Sequence, residues 1–520
     1  MSPINGAHAL LRTLTNGGVD TCFMNPGTSE MHFVAALDDE PGMRGVLALF
    51  EGVATGAADG YGRMAGRPAA VLLHLGPGLG NGLQNLHNAR RAATPVVNIV
   101  GDHATYHTQY DAPLESDIHA TASAVSGWYR RSMKTSELPA DAAAALRAAM
   151  GPPGQVATLV LPADVSWSDG AEPARPEPAG APADPSPDAV AAVAAAIRSG
   201  RPVGFLVGGQ ACREGALRQA GAIAAAHGIK LMSETFSARL QRGAGRVAPE
   251  RLAYLAEMAV AQLEGLEHLV LVDAKSPVSF FAYPDKPSDL VPDGCQVHAL
   301  ARAGEDVEAA LAALADELGV DRGAAPLAPA GRPDAPQSGP LTAETLGLAV
   351  GALLPEDAIV ADEANTSGLF IAGATAGCPP HDWLMLTGGA IGLGLPLATG
   401  AAVACPDRKV LALEADGSAM YGIQALWTMA REGLDVTTVI VSNRSYAILN
   451  MELQRVGAGA GGPKAQAMLD LHRPDLDFVS LAVGMGVPAT RAETAAELSA
   501  QLARALATPG PNLVEAVVTR

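Results

Sequence analysis

The chain has 520 residues, 48% of them hydrophobic and 4% aromatic, and a formal net charge of -19 at pH 7. Its length is too great for one hydrophobic core and predicts about three domains, while the acidic balance argues against a nucleic-acid or anionic-membrane partner. The five cysteines (Cys22, Cys212, Cys295, Cys378, Cys405) are scattered and odd in number. Neither a disulfide framework nor a CxxC metal site is predicted, and a reducing, cytoplasmic setting is expected.

In chain order, MSPINGAHALLRTL carries no basic segment before a long apolar one and is not expected to be a secretory leader. The amphipathic stretch GAHALLRTLTNGG then alternates with the apolar runs AAVLLHL and TPVVNIVG, the strand-helix rhythm of a parallel sheet. Along this block stand the loop Asn25 to Glu30, Glu51 at the start of a small-residue helix, and His74 at a strand end before GPGLGN. Standing alone, Glu51 reads as a helix-start acid favoured by the macrodipole, and His74 as a hydrogen-bonded strand-end residue. His103 and His107 lie in a loop and stay open between a polar surface and a role in the site.

Two stretches rich in Pro, Ala and Gly, Ser168 to Pro187 and Arg322 to Pro340, read as extended linkers. They set the expected domains at 1–167, 188–321 and 341–520. The middle block repeats the rhythm in VGFLVGG, REGALRQAGAIAAAHG and HLVLVDA, and the third in KVLALEADG, GIQALWTMAREG and VTTVIVSN. The expected fold class is α/β: three doubly wound domains with parallel sheets. Leu384 to Cys405 is uncharged and long enough to span a bilayer, but Pro396 and its many glycines predict a buried loop and helix start.

The third block carries the most explicit chemistry. A buried strand runs into Asp416-Gly417-Ser418 and a helix follows, an arrangement that places an anion site at the carboxyl end of a parallel sheet. Gly417 permits close backbone approach, and Ser418 offers an N–H or a hydroxyl. The next strand ends at Asn443, 27 residues after Asp416, so consecutive parallel strands would set the two side by side. One carboxylate, one amide oxygen and a nearby carbonyl form a hard oxygen set that phosphate oxygens complete around Mg²⁺. Asn365 and Thr366, in ADEANTSG after another strand, are candidate diphosphate contacts.

ADGSAMY followed by SNRSYAIL resembles the GDG…N motif of the thiamine-diphosphate (ThDP) enzymes, with Ala415 in place of the usual first Gly. The resemblance implies ThDP and Mg²⁺ as cofactors, metal ligation by Asp416, Asn443 and the main-chain carbonyl of Ser445, and cofactor contacts along Tyr446, Ala447 and Ile448. Thr387 to Pro396 resembles the family loop beneath the cofactor's centre. By that likeness Gly389 gives its carbonyl to the 4'-amino group and Ile391 wedges between the two rings.

FEGVATGAADGYGRM resembles the family's E…A…AxGYAR segment, which makes Glu51 the carboxylate on N1' of the aminopyrimidine. Burial there favours its sharing a proton with a ring nitrogen. The loops NPGTSE and LHLGPGLGN are similar to those of benzoylformate decarboxylase and, more loosely, of the acetolactate synthase large subunit, which sets Thr28 and His74 on the substrate side.

The implied activity is attack on a 2-oxo acid, loss of CO₂, and then protonation to an aldehyde or ligation to a second carbonyl compound. A flavin-dependent ThDP oxidase and a non-catalytic ThDP-fold scaffold remain the alternatives. The short glycine run GGQACREG is too weak to imply a flavin. Leu449 stands where pyruvate decarboxylases carry a Glu, and Glu452 is left facing either pocket or solvent. The family arrangement further implies a homodimer or homotetramer, with the cofactor between two subunits.

Overall fold

In the computed structural model, which describes residues 4–519, three largely parallel sheets follow one another along the chain. The first has six strands in the order Arg44–Leu47, Thr21–Asn25, Ala69–Leu73, Val96–Asp102, Val156–Pro162 and Trp128–Arg131, all parallel. A parallel sheet covered on both faces needs apolar side chains in both directions, and this one has them. Ala70 and Leu72 pack with Leu10, Leu14 and Leu146 on one side, while Val71 and Leu73 pack with Val53 and Ala57 on the other.

The second sheet runs Glu250–Arg251, Lys230–Ser233, Val203–Val207, His268–Val272 and Gln296–Ala301, again all parallel. The third runs His381–Met385, Ile359–Glu363, Val410–Ala415, Val436–Ser442, Asn512–Val517 and Ala489–Ala492 in parallel.

Two antiparallel additions join this parallel framework. A seventh strand of the third sheet, Leu240–Arg242, comes from the middle stretch and pairs antiparallel with His381–Met385. A short antiparallel strand closes an otherwise open sheet edge. It is fixed by Arg239 Nε on Asp382 at 2.6 Å and by Arg242 stacked 4.9 Å over the Trp383 ring. Second, the stretch read as a linker begins with a strand, Asp169–Ala171, paired antiparallel with Ile4–Asn5. Residues 322–340 contain no helix or strand, as their composition implies.

The uncharged stretch 384–405 forms the end of the strand His381–Met385, a loop, and the buried helix Gly394–Ala404. Among the described residues no helix is long and apolar enough to cross a membrane. This helix packs instead against Glu51–Ala65, and one apolar core joins the first sheet to the third through Val53, Ala57, Leu395, Leu397 and Ala401. The contact is backbone-close. A Cβ at Gly60 would lie 2.1 Å from the Leu397 carbonyl oxygen, and one at Gly400 would lie 1.8 Å from that of Ala57. Small residues on both helices thus clamp together two elements whose N-terminal ends carry Glu51 and the Gly-rich loop.

Candidate active site

Strand register brings the candidate residues to two sheet edges. In the third sheet Glu363 lies opposite Glu414, and Ala415 opposite Val441, so four neighbouring strands release their loops on one side. Those loops carry Asn365 and Thr366, the run 387–391, Asp416 to Ser418, and Asn443 to Ile448. In the first sheet the strands Arg44–Leu47, Thr21–Asn25, Ala69–Leu73 and Val96–Asp102 likewise end together. They release Glu51, Thr28, His74 and His103 at one edge.

Asp416 and Asn443 meet as their spacing predicts. Asp416 is buried and begins the helix Asp416–Gly422; its Oδ1 accepts the Gly417 N–H at 2.8 Å and its Oδ2 the Arg444 N–H at 2.6 Å. Burial pushes its pKa up, and these backbone donors oppose the shift. Arg444 takes a left-handed φ of +58°, the turn that carries the chain from Asn443 over Asp416. Asn443 Oδ1 accepts the Ser445 N–H at 2.9 Å, and its Nδ2 reaches Ser367 Oγ at 3.1 Å.

A cavity of about 690 Å³ opens here, lined by Thr366, Ser367, Asn443, Ser445, Ala447 and Asp470 among others. Asn365 donates to Ser418 Oγ at 3.0 Å, and the Tyr446 ring lies where a Cβ on Gly417 would be. One carboxylate, one amide oxygen and the Ser445 carbonyl stand on adjacent strand ends beside a helix N-terminus. That donor set fits a hard divalent cation whose remaining ligands are phosphate oxygens.

Glu51 begins the helix Glu51–Ala65 and is buried. Its carboxylate has one hydrogen-bond partner among the described residues, Asn81 Nδ2 at 3.1 Å on Oε2. Gly78 lies against the other oxygen: a Cβ there would stand 3.3 Å from Oε1. His74 is half-buried, and Thr28 is exposed at the start of a short 3₁₀ turn.

Glu30, which the sequence presents only as the end of a loop motif, proves central to this edge. It is fully buried, and its Oε2 lies 2.8 Å from His74 Nδ1 and 2.7 Å from the Gly27 N–H. A carboxylate on Nδ1 selects the tautomer that leaves Nε2 of His74 for other partners. The signal was the acid three residues after Gly27, a capping-box spacing. His103 and His107 pack against each other with ring centroids 5.4 Å apart and planes tilted by 49°.

In the Gly-rich run Gly389 takes a φ of +72° and Ile391 is partly buried against the shared core. The left-handed φ favours glycine at 389, and a Cβ there would also meet the tip of the Phe280 ring, 2.5 Å from Cζ, which would have to turn aside. Arg63, buried and paired with Asp59 at 2.5 Å, donates to the Met385 carbonyl at 2.7 Å and to Thr387 Oγ1 at 3.0 Å. Beneath the run lie two buried carboxyls that the sequence hides inside apolar strands, Glu363 and Glu414. Burial raises both, Glu363 to about 7, although the Gly394 and Gly392 amides pull Glu363 down. Glu452 pairs with Arg455 at 2.8 Å, and Arg455 stacks 4.3 Å from the Tyr283 ring. Leu449 is exposed.

Comparison with known proteins agrees with this architecture. Residues 4–124 match the family model for the thiamine pyrophosphate enzyme N-terminal TPP binding domain, and residues 370–516 that for the C-terminal TPP binding domain. A Mycobacterium tuberculosis chain named as a candidate acetolactate synthase large subunit, IlvX, is 61% identical over 516 residues, covering 99% of each chain. Benzoylformate decarboxylase of Pseudomonas aeruginosa is 30% identical, with 96% of each chain covered. Among solved structures, the thiamine diphosphate-dependent 4-hydroxybenzoylformate decarboxylase of Rhodococcus jostii RHA1 superposes with a TM-score of 0.86 at 26% identity, covering 99% of each chain. The chain belongs to the thiamine pyrophosphate enzymes and is a ThDP-dependent enzyme of the lyase or transferase kind.

Proposed function

We propose that this chain is a Mg²⁺- and ThDP-dependent decarboxylase or carboligase acting on a 2-oxo acid. The observation that carries the reading is the pairing of two differently built carboxylates. Asp416 is immobilised by backbone N–H groups beside Asn443, whereas Glu51 is buried with a single amide partner. In this reading Asp416, Asn443 and the Ser445 carbonyl hold the metal. Asn365, Thr366, Gly417, Ser418 and the turn Tyr446 to Ile448 receive the diphosphate end, while the Gly389 carbonyl and Ile391 receive the ring end.

When bound, ThDP supplies a carbon nucleophile and an electron sink for cleaving the bond beside the substrate carbonyl. Glu51 holds and exchanges a proton at the ring nitrogen N1', a task suited to a carboxyl kept out of water and free of competing backbone donors. His74, oriented by Glu30, and Thr28 face the substrate carboxylate and the site of proton delivery. The partner contributing the other half of each site is a second copy of this chain, in a homodimer or homotetramer.

The test is to supply pyruvate, benzoylformate and branched 2-oxo acids to the purified chain with and without ThDP and Mg²⁺. CO₂ release with at least one of them, lost when either cofactor is withheld, is the expected outcome. Failure of every 2-oxo acid to yield CO₂ or a ligation product with both cofactors present would overturn the reading.

A further inference from the structure

One helix, Leu75–Arg91, holds the backbone of the Gly-rich loop almost atom by atom. Of the five consecutive carbonyls from Gly388 to Gly392 it takes four. His87 Nε2 bonds Gly388 at 3.1 Å, Asn88 Nδ2 bonds Ala390 at 2.8 Å, Gln84 Nε2 bonds Ile391, and Asn85 Nδ2 reaches Gly392 at 3.4 Å. The carbonyl left over is that of Gly389. Asn88 grips the loop twice more, accepting the Gly388 N–H on Oδ1 at 3.1 Å and the Thr387 hydroxyl on its own carbonyl at 2.8 Å.

From the opposite side, Glu363 accepts the Gly392 N–H at 2.7 Å and the Gly394 N–H at 2.6 Å. Asn85 also donates to the Gly52 carbonyl at 2.7 Å, so one side chain ties this loop to the residue after Glu51. A loop that merely joined a strand to a helix would leave such carbonyls to water. Burying amide side chains such as Asn85 and Asn88 costs stability unless each finds a partner, and here the partners lie on one short loop.

We propose that Gln84, Asn85, His87 and Asn88, with Glu363, are positioning residues that fix the Gly389 carbonyl in the direction of the cofactor's aminopyrimidine ring. They act by occupying every neighbouring carbonyl. The inference rests on the function proposed above. It adds that the helix Leu75–Arg91 of the first block braces, within the same chain, the third-block loop that carries the Gly389 carbonyl.

The experiment uses the full-length chain and two variants, Asn88→Ala at a buried position and Gln84→Leu at a half-buried one. Three quantities are read: amide hydrogen exchange of residues 386–395 without cofactor, affinity for ThDP with Mg²⁺, and deuterium exchange at C2 of saturating bound ThDP. The expected result is faster amide exchange in that loop and C2 exchange slowed by roughly 10- to 100-fold, with affinity changed less than about threefold. Gln84→Leu should show the same signs, smaller, with an unchanged unfolding midpoint, and it decides the matter if Asn88→Ala does not fold. Native C2 exchange in the folded variants overturns the positioning role alone, and so does a loss confined to affinity. Absence of C2 exchange in the unaltered chain overturns the proposed function and this inference with it.

Discussion

The two carboxylates at the ends of the proposed site are held in opposite ways. Asp416 receives backbone N–H groups on both oxygens, from its own helix start and from the turn after the neighbouring strand. Glu51 receives one side-chain amide, from Asn81, and otherwise faces small residues such as Gly78. A group that must stay put beside a cation gains from donors that cannot move. A group that must take and return a proton is better served by few partners, because each bond to its ionised form stabilises one protonation state over the other. In the proposed site that contrast suits Asp416 to holding a cation and Glu51 to exchanging a proton.

The predictions test that contrast. Glu51→Gln keeps shape and burial but removes the exchangeable proton, so turnover on an accepted 2-oxo acid should fall by about 10²- to 10⁴-fold. ThDP affinity, measured by calorimetry, should stay close to native. Asp416→Ala should do the reverse, weakening Mg²⁺-dependent ThDP binding by roughly 100-fold, since the one carboxylate of the oxygen set is lost. Unchanged affinity would mean that the ion is held elsewhere.

A third variant probes the histidine at the Glu51 end. Glu30→Gln should lower turnover by roughly tenfold, because an amide no longer enforces the Nδ1–H tautomer of His74. A pH-rate profile that shifts in the variant would show that the dyad, and not the fold, is responsible.

The smallest effect is on stability. Glu363 rises from an ordinary carboxyl value of 4.5 to about 7 on folding, through burial. The folded chain therefore binds the extra proton between those values, and this group's contribution to stability is present at low pH and lost as pH rises through about 7. In cofactor-free protein, the unfolding midpoint of the native chain should fall relative to Glu363→Gln as pH climbs from 4.5 to 7, then level off. Parallel curves would contradict that titration.

What could be read from the sequence follows the range of the interactions involved. The Asp416–Asn443 pair was legible because it needs only a strand, a turn, a helix and the next strand, all within 27 residues of one another. The sheets were legible from apolar runs, since strands buried on both faces cannot disguise themselves. The edge strand Leu240–Arg242 was not, because three residues carry no periodicity and its partner lies about 140 positions away. The clasp of Gln84 to Asn88 on the loop at 388–392 was equally hidden: an amide-rich helix face looks solvent-exposed until the fold lays backbone against it. Glu363 and Glu414 escaped notice because a carboxyl inside an apolar strand usually marks its end, and here both lie buried under a loop that supplies N–H donors to Glu363.

The most direct test of the account follows deuterium exchange at C2 of ThDP bound with Mg²⁺ to the native chain and to Glu51→Gln, each saturated with cofactor. Exchange that is fast in the native chain and slowed by about 10²-fold or more in the variant is the predicted result. Equal rates in the two would show that the carboxylate at position 51 does not handle the proton, and the division of labour between the two ends of the site would be wrong.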